Sequence, residues 1–184
     1  SIASALGRKY GGGDAAGRQM VQQVQQVAGE VGLDFSQYPD AKRVNTVDAH
    51  RLLHAAGDLR ADLKEALLRA YFVDVRDVAD HDELAAIAVG AGLAEDDVRR
   101  VLASDEHLTE VDADADAAQD LGAGGVPFFV IDRRFGISGA QPVEVFTQTL
   151  ERAWAERPTL QMATGVTDRD DASGEVCGPE GCTT

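Results

Sequence analysis

The chain has 184 residues, enough for one domain with a substantial core or for a domain with a sizeable insertion. Its net charge of −15 excludes nucleic acid and an anionic membrane surface as partners, because both would repel it. The sequence holds neither an apolar run of membrane-spanning length nor the apolar core of a signal peptide.

Apolar residues recur at helical spacing through most of the first 120 residues. The first predicted helix covers residues 16–31 and ends before Gly32. Further helices are predicted at residues 46–56, 59–73, 80–91, 94–103 and 105–121. This part of the chain is therefore expected to be all-helical.

Two of these helices begin with capping residues. Asn45 or Thr46 is expected to cap the second predicted helix. Asp80, followed three residues later by Glu83, predicts a capping box at the start of the fourth.

The most informative stretch of the sequence is Gly124 to Gln141, GGVPFFVIDRRFGISGAQ. Two apolar runs at 128–131 and 134–138 flank the polar turn Asp132-Arg133 and predict a β-hairpin. A hairpin alone is marginally stable in water, and this one is apolar on both faces. No other strand is predicted, so its partner strands must come from a missing segment or from another chain.

The chain after the hairpin predicts one helix and then a tail. Pro142 suits the first turn of a helix, which reaches about Glu156. The residues beyond are rich in Gly, Asp and Thr without periodicity, which predicts a flexible extension. The expected organisation is a helical insertion domain at 1–122, a hairpin-plus-helix unit at 123–157 and an extension at 158–184.

Val126 and Pro127 lie where the first strand begins. Proline cannot donate to a β-ladder, so a strand start is one of the places it fits. The Val126–Pro127 bond is a candidate for the cis isomer, although the residues alone favour an ordinary trans proline.

The run that begins at Gly122, GAGGVPFFVIDRRFGISGAQPVEVFTQTLERAW, resembles the C-terminal half of a DsbA-like thioredoxin fold. It is most similar to the FrnE branch, beside the 2-hydroxychromene-2-carboxylate isomerases and kappa-class glutathione transferases. Four further stretches resemble the helical insertion of that branch: Gly32 to Phe35, Asn45-Thr46, Ala49 to Leu53 and Ala70 to Phe72. The most specific matches are GVPFFVID and GISGAQP.

The resemblance implies an α/β thioredoxin-like fold with a large all-helical insertion. It also implies a disulfide oxidoreductase or isomerase that acts on protein thiols and disulfides. Pro127 would be the family's cis proline opposite a redox-active CxxC, and it would leave the Val126 backbone free to pair with a substrate. The sequence contains no CxxC. We therefore expect that a βαβ segment with this motif and the missing strands precedes Ser1 in a longer protein.

Cys177 and Cys182 are the chain's two cysteines, separated by Gly-Pro-Glu-Gly. This spacing allows a tight turn in which the two sulfurs form a disulfide. We interpret the pair as a redox relay that exchanges with another dithiol, with a passive disulfide or an idle reduced pair as alternatives. Zinc is disfavoured, because two thiols are an incomplete ligand set.

Other candidate sites have simpler explanations. His50 and His54 have a metal-binding spacing but no third ligand, and Asn45 and Thr46 could line a substrate groove but are also good helix caps. No cofactor is expected, with glutathione left open.

Two alternative functions remain: a glutathione-dependent isomerase or transferase, and a non-catalytic, chaperone-like module that binds polypeptides. A cytoplasmic location is expected, and a homodimer is left open.

Overall fold

The computed structural model describes residues 1–158. The α-helices are α1 (Ile2–Tyr10), α2 (Gly13–Glu30), α3 (Val47–Ala55), α4 (Arg60–Phe72), α5 (His81–Gly90), α6 (Glu95–Leu102), α7 (Leu108–Asp120) and α8 (Val143–Ala155). Two short 3₁₀ helices cover Tyr38–Asp40 and Gly57–Leu59, and the strands are β1 (Phe128–Ile131) and β2 (Phe135–Ser138). One compact unit is Ser1–Val126, and a second begins at Pro127. Within the described residues, no helix is both long and apolar enough to cross a membrane.

The main core of the helical unit lies among α3, α4, α5 and α6. Its largest side chains with almost no exposure are Leu52, Leu63, Leu84, Val98 and Val101. Burying one such aliphatic side chain stabilises the fold by about 1.5–3 kcal/mol. The helical periodicity of the sequence therefore translates directly into this core.

A second, smaller core holds α1 against α2 and includes Ile2, Val21 and Tyr38. The two helices approach closely at glycines: a Cβ added at Gly17 would lie 1.9 Å from the carbonyl oxygen of Ala3. Sequence analysis did not predict α1, because this helix has only 9 residues and runs into a Gly-Gly-Gly stretch.

The other helices lie close to their predicted positions, but the first residue differs by three in two of them, and α2 begins at Gly13 rather than at residue 16. Helix α7 begins at Leu108 rather than Asp105, because His107 adopts a left-handed conformation with φ 65° at its N-cap. The C-terminal stop after α2 is confirmed: Gly32 has φ 79°, and the amide of Leu33 donates to the carbonyl of Ala28 at 2.9 Å.

The predicted caps are correct in part. Asp80 Oδ1 accepts from the backbone N–H groups of Asp82 and Glu83, both at 3.0 Å. The reciprocal half of the capping box is absent, because the Glu83 carboxylate binds Arg76 at 2.5 Å instead. At α3, Asn45 Oδ1 accepts from the amide of Val47 at 2.9 Å, so Asn45 supplies the side-chain hydrogen bond.

A buried arginine connects α3 to the segment that follows α6. Arg51 is 5% exposed. Its guanidinium donates to the backbone carbonyls of Val101, Ser104 and Glu106 and to the carboxylate of Asp48. The burial of this charge is therefore matched by hydrogen bonds, as such a charge requires.

The second unit contains the hairpin and α8. Strands β1 and β2 are antiparallel, and Phe129 lies opposite Ile137. The chain reverses through Asp132 and Arg133, which have φ values of 53° and 50°, as in the type I′ turns that suit hairpins. The hairpin prediction is confirmed, with β2 beginning one residue later than expected.

Candidate functional site

The hairpin brings the two most specific sequence matches together. Phe128 pairs with Ser138 at the end of the ladder, and the Pro127 carbonyl accepts a hydrogen bond from the Gly139 amide at 2.9 Å. Proline has no N–H to return, so the ladder ends there. GVPFFVID and GISGAQP thus lie side by side, with Pro127 at the open end of the hairpin.

Two further contacts fix the return strand beyond this point. The Gln141 side chain donates from Nε2 to the Ser138 carbonyl at 2.8 Å. Gly139 has φ 81°, a left-handed conformation that favours glycine. Pro142 then forms the N-cap of α8 rather than its first residue. The GISGAQP match therefore comprises the last three residues of β2 and the turn that links β2 to α8.

Val126 precedes this proline and is 96% exposed. Gly124 and Gly125, just before it, are also open: a Cβ added at either glycine would meet no other atom within 4 Å. An exposed segment of this kind has backbone groups that can form main-chain hydrogen bonds with another polypeptide, as in strand addition.

Within the second unit, α8 covers one face of the hairpin. Ile137 is 4% exposed, and the ring of Phe129 packs edge-to-face on Phe146 with centroids 4.9 Å apart. The opposite face carries Phe128, whose ring lies over Gly136, and Val130, which is 38% exposed. The prediction that the hairpin is apolar on both faces is confirmed.

Ionic contacts secure the far end of the hairpin to α8. Arg134 donates to the backbone carbonyl of Glu156 at 3.0 Å and to its carboxylate at 3.1 Å. Arg152 also binds this carboxylate at 2.8 Å. The hydrogen bond from Arg152, with help from Arg134, lowers the pKa of Glu156. These contacts lie at the turn end of the hairpin, away from Pro127.

Comparison with known proteins identifies the family. The model of the DSBA-like thioredoxin domain family matches residues 5–151, which include most of the helical unit, the proline and the hairpin. The chain belongs to the DsbA-like thioredoxin family. The predicted α/β thioredoxin-like fold with a helical insertion is thereby confirmed.

A solved structure supports the same assignment. The chain is similar to the crystal structure of a probable DsbA oxidoreductase from Streptomyces coelicolor, with 40% sequence identity and a TM-score of 0.79. The similarity covers 100% of this chain and 76% of that one. No curated protein matches the chain significantly.

The sequence predicted further candidate residues in this DsbA-like chain. Cys177 and Cys182 lie outside the described residues. His54 binds Asp114 at 3.0 Å, and His50 is exposed on the same helix. Among residues 1–158, no cluster of three or more potential ligands could hold a metal ion.

The structure also shows an aromatic cluster that sequence analysis did not single out as a site. It unites two separate matches to the insertion, because Phe35 stacks on Phe72 with centroids 5.2 Å apart. Tyr38 and Tyr71 complete the cluster, and burial raises the pKa of both phenols. In a sequence with 5% aromatic residues, their grouping at 35–38 and 71–72 is the signal that could have revealed it.

Proposed function

We propose that the protein is a thiol–disulfide oxidoreductase or isomerase that acts on protein disulfides. The observation that carries the proposal is the position of Pro127, which ends the hairpin ladder next to the fully solvated Val126. This arrangement occurs in a DsbA-like chain that is 40% identical over its whole length to a probable DsbA oxidoreductase.

In the proposed mechanism, the Val126–Pro127 segment holds the substrate. The exposed Val126 backbone forms main-chain hydrogen bonds with an extended stretch of the substrate polypeptide. Pro127 has no N–H that could compete for the same partners. Its ring would keep other groups away from the reactive sulfur of the proposed CxxC motif. We assign this bond the cis isomer that the family resemblance implies, although the residues alone favour a trans proline.

The nucleophile of the proposed reaction belongs to a CxxC motif, and residues 1–184 contain none. We assign this motif, and the strands that complete the sheet, to residues upstream of Ser1 in a FrnE-type protein. The support is the partly exposed apolar face of the hairpin at Phe128 and Val130, which further strands and a helix would cover.

The reaction balances as two thiol–disulfide exchanges. A CxxC thiolate attacks one sulfur of the substrate disulfide, forming a mixed disulfide and releasing the other substrate sulfur as a thiolate. The second CxxC thiolate then attacks the mixed disulfide, which frees the reduced substrate and leaves the CxxC oxidised. Isomerisation follows instead when the released substrate thiolate attacks a different substrate disulfide and so frees a third substrate thiolate. That thiolate then attacks the substrate sulfur of the mixed disulfide, which forms a new substrate disulfide and releases the CxxC in its reduced form.

We assign Cys177 and Cys182 the role of relay. As a dithiol, the pair would attack the oxidised CxxC, restore it to the reduced form and become a disulfide itself. A small-molecule or protein thiol of the cytoplasm, where we place the protein, would then reduce the pair. The neighbouring Glu175 and Glu180 disfavour thiolates, which suits a relay better than a primary nucleophile.

The relay is tested in the full-length protein with insulin reduction and refolding of a scrambled disulfide protein. The Cys177→Ser/Cys182→Ser double variant is expected to change the turnover rate or the redox potential of the protein. A Ser173→Ala variant in the same extension is the control. Unchanged rate and potential in the double variant would remove the relay role.

The substrate loop is tested with Pro127→Ala, which introduces an N–H at the end of the ladder. We expect a lower kcat/KM for polypeptide disulfides, while the reaction with a small disulfide such as oxidised glutathione changes less. Equal losses for the two substrates would argue against a polypeptide-holding role of this loop.

Two results would favour the alternative functions. A single Ser or Cys in place of the CxxC upstream, together with activity that requires glutathione, would favour a glutathione-dependent isomerase or transferase. Suppression of protein aggregation that persists after all cysteines are replaced would favour a non-catalytic polypeptide-binding module.

A further inference from the structure

Helix α2 carries an apolar stripe that its own unit does not cover. Met20, Val24, Val27 and Val31 are four, three and four residues apart, the spacing of a coiled-coil seam. Val24 is 40% exposed, Val27 61% and Val31 71%. Four such residues in one line form a contiguous patch, which marks an interaction surface more often than scattered exposed residues do. We call these four residues the α2 seam.

The α2 seam is a second apolar face, separate from the one that packs against α1. The packing face of α2 consists of Gly17, Val21 and Ala28, all buried. The seam is extended by Leu33, which is 49% exposed just beyond the helix and lines the same groove. The α2 seam and Leu33 therefore present an apolar surface along about the last 15 Å of α2 and just beyond its C-terminal end.

The charge around the α2 seam differs from that of the rest of the chain. The whole chain carries 32 acidic residues, yet the segment 15–29 contains a single charged residue, Arg18. At about 100° per residue, Arg18 falls on the side of the helix opposite the seam. Two copies of this acidic chain repel each other over most of their surfaces but not here. A second copy therefore fits this neutral apolar surface.

We propose that the α2 seam is a homodimer interface in which α2 packs antiparallel against α2 of a second copy. In this register, Met20 meets Val31 of the other copy and Val24 meets its Val27, and the two-fold axis repeats both contacts. The proposal does not depend on the oxidoreductase activity.

The antiparallel orientation follows from the two flanks of the seam. One flank, with Val21 and Ala28, is covered by α1. The other flank, with Gln23 and Glu30, is exposed. An antiparallel pair places open flank against open flank, so that Gln23 faces Glu30 of the second copy twice. A parallel pair would place the open flank against the flank that α1 covers.

The first test measures the mass of the full-length protein by sedimentation velocity over a range of concentrations. We expect a dimer that Val27→Glu weakens ~10-fold or more, because it buries a charge in the interface. Val89→Glu, at a residue on α5 that is 40% exposed and lies outside the α2 seam, is the control and should leave the dimer unchanged. A full-length protein that stays monomeric up to ~100 μM would overturn the proposal.

The second test uses the open flank, where substitutions do not disturb the fold. Gln23→Glu should weaken the dimer about fivefold through two like-charge pairs, and Gln23→Lys should strengthen it. Adding Glu30→Lys to Gln23→Glu replaces the like-charge pairs with opposite-charge pairs, so it should reverse the loss and make the dimer at least as tight as the wild type. A dimer that is insensitive to these three variants would exclude the antiparallel α2 pair.

Discussion

The helical unit and the hairpin unit differ in how fully each buries its own apolar residues. In the helical unit, Leu52, Leu63, Leu84 and Val101 have almost no exposed surface. In the hairpin unit, Ile137 and Ala153 are the buried apolar residues within the described part, while Trp154 is 69% exposed.

This difference follows from the range of the contacts that each unit needs. A helix satisfies its backbone within itself and meets its neighbours through short connections. A strand presents backbone donors and acceptors at its two edges, and each strand of this two-stranded sheet has a partner at one edge only within the described residues. The helical unit therefore buries its apolar residues through its own contacts, whereas the hairpin leaves Phe128 and Val130 partly exposed.

The largest expected effect on stability comes from removing the hydrogen bonds of Arg51 in the helical unit. Arg51→Ala leaves the carbonyls of Val101, Ser104 and Glu106 without their donor, so we expect the free energy of unfolding to fall by about 3–5 kcal/mol. Urea denaturation followed by circular dichroism measures the loss. His50→Ala, at an exposed position on the same helix, should change little, and a similar small change for Arg51→Ala would contradict this role.

A smaller effect is expected at the contact between α1 and α2. Gly17→Ala places a Cβ 1.9 Å from the Ala3 carbonyl oxygen, which forces the helices apart and should cost about 1–3 kcal/mol. Gly29 lies on the same helix, and a Cβ added there would meet no atom within 4 Å. Gly29→Ala should therefore stabilise the fold by about 0.5–1 kcal/mol through helix propensity. Thermal unfolding of both variants checks the contrast. Equal shifts in Tm would show that the close approach does not matter.

The pH dependence of the helical unit provides a third test, through Asp48. Burial alone would raise the pKa of Asp48, but hydrogen bonds from Arg51 and His81 outweigh it and lower this pKa. The carboxylate therefore stabilises the fold above its unfolded pKa of about 3.9, and this contribution is lost as the pH falls through the lower folded pKa.

We accordingly expect Asp48→Asn to cost about 1 kcal/mol at pH 7 and progressively less below about pH 4. Urea unfolding across this range measures the difference, with Asp62→Asn at an exposed position on α4 as the control. A cost that is constant with pH would contradict the ionic role.

The smallest expected effect concerns Val130, on the partly exposed face of the hairpin. Val130→Thr should cost less than about 0.5 kcal/mol in the 184-residue chain, because this side chain is 38% exposed. In the full-length protein, with the proposed strands in place, the cost should exceed about 1 kcal/mol. Denaturation of both forms tests this, and equal costs would contradict the completed sheet.

Much of the fold was predictable because its signals are local. Helical spacing located α2 to α8, and the alternation of apolar runs around Asp132-Arg133 located the hairpin. The DsbA-like resemblance of GVPFFVID and GISGAQP identified the family that the comparisons confirm. The short helix α1 was missed, since its stability comes from packing of Ile2 and Ala3 against α2 rather than from its own sequence.

The sequence by itself determined the helices, the hairpin, the acidic charge and the proline that marks the candidate substrate loop, because each depends on neighbouring residues. Only the tertiary structure decided that Pro127 lies beside Gly139, that Arg51 joins α3 to three distant carbonyls, and that one face of α2 stays uncovered. Such contacts join residues far apart in the chain, and their geometry is set by packing rather than by local preference.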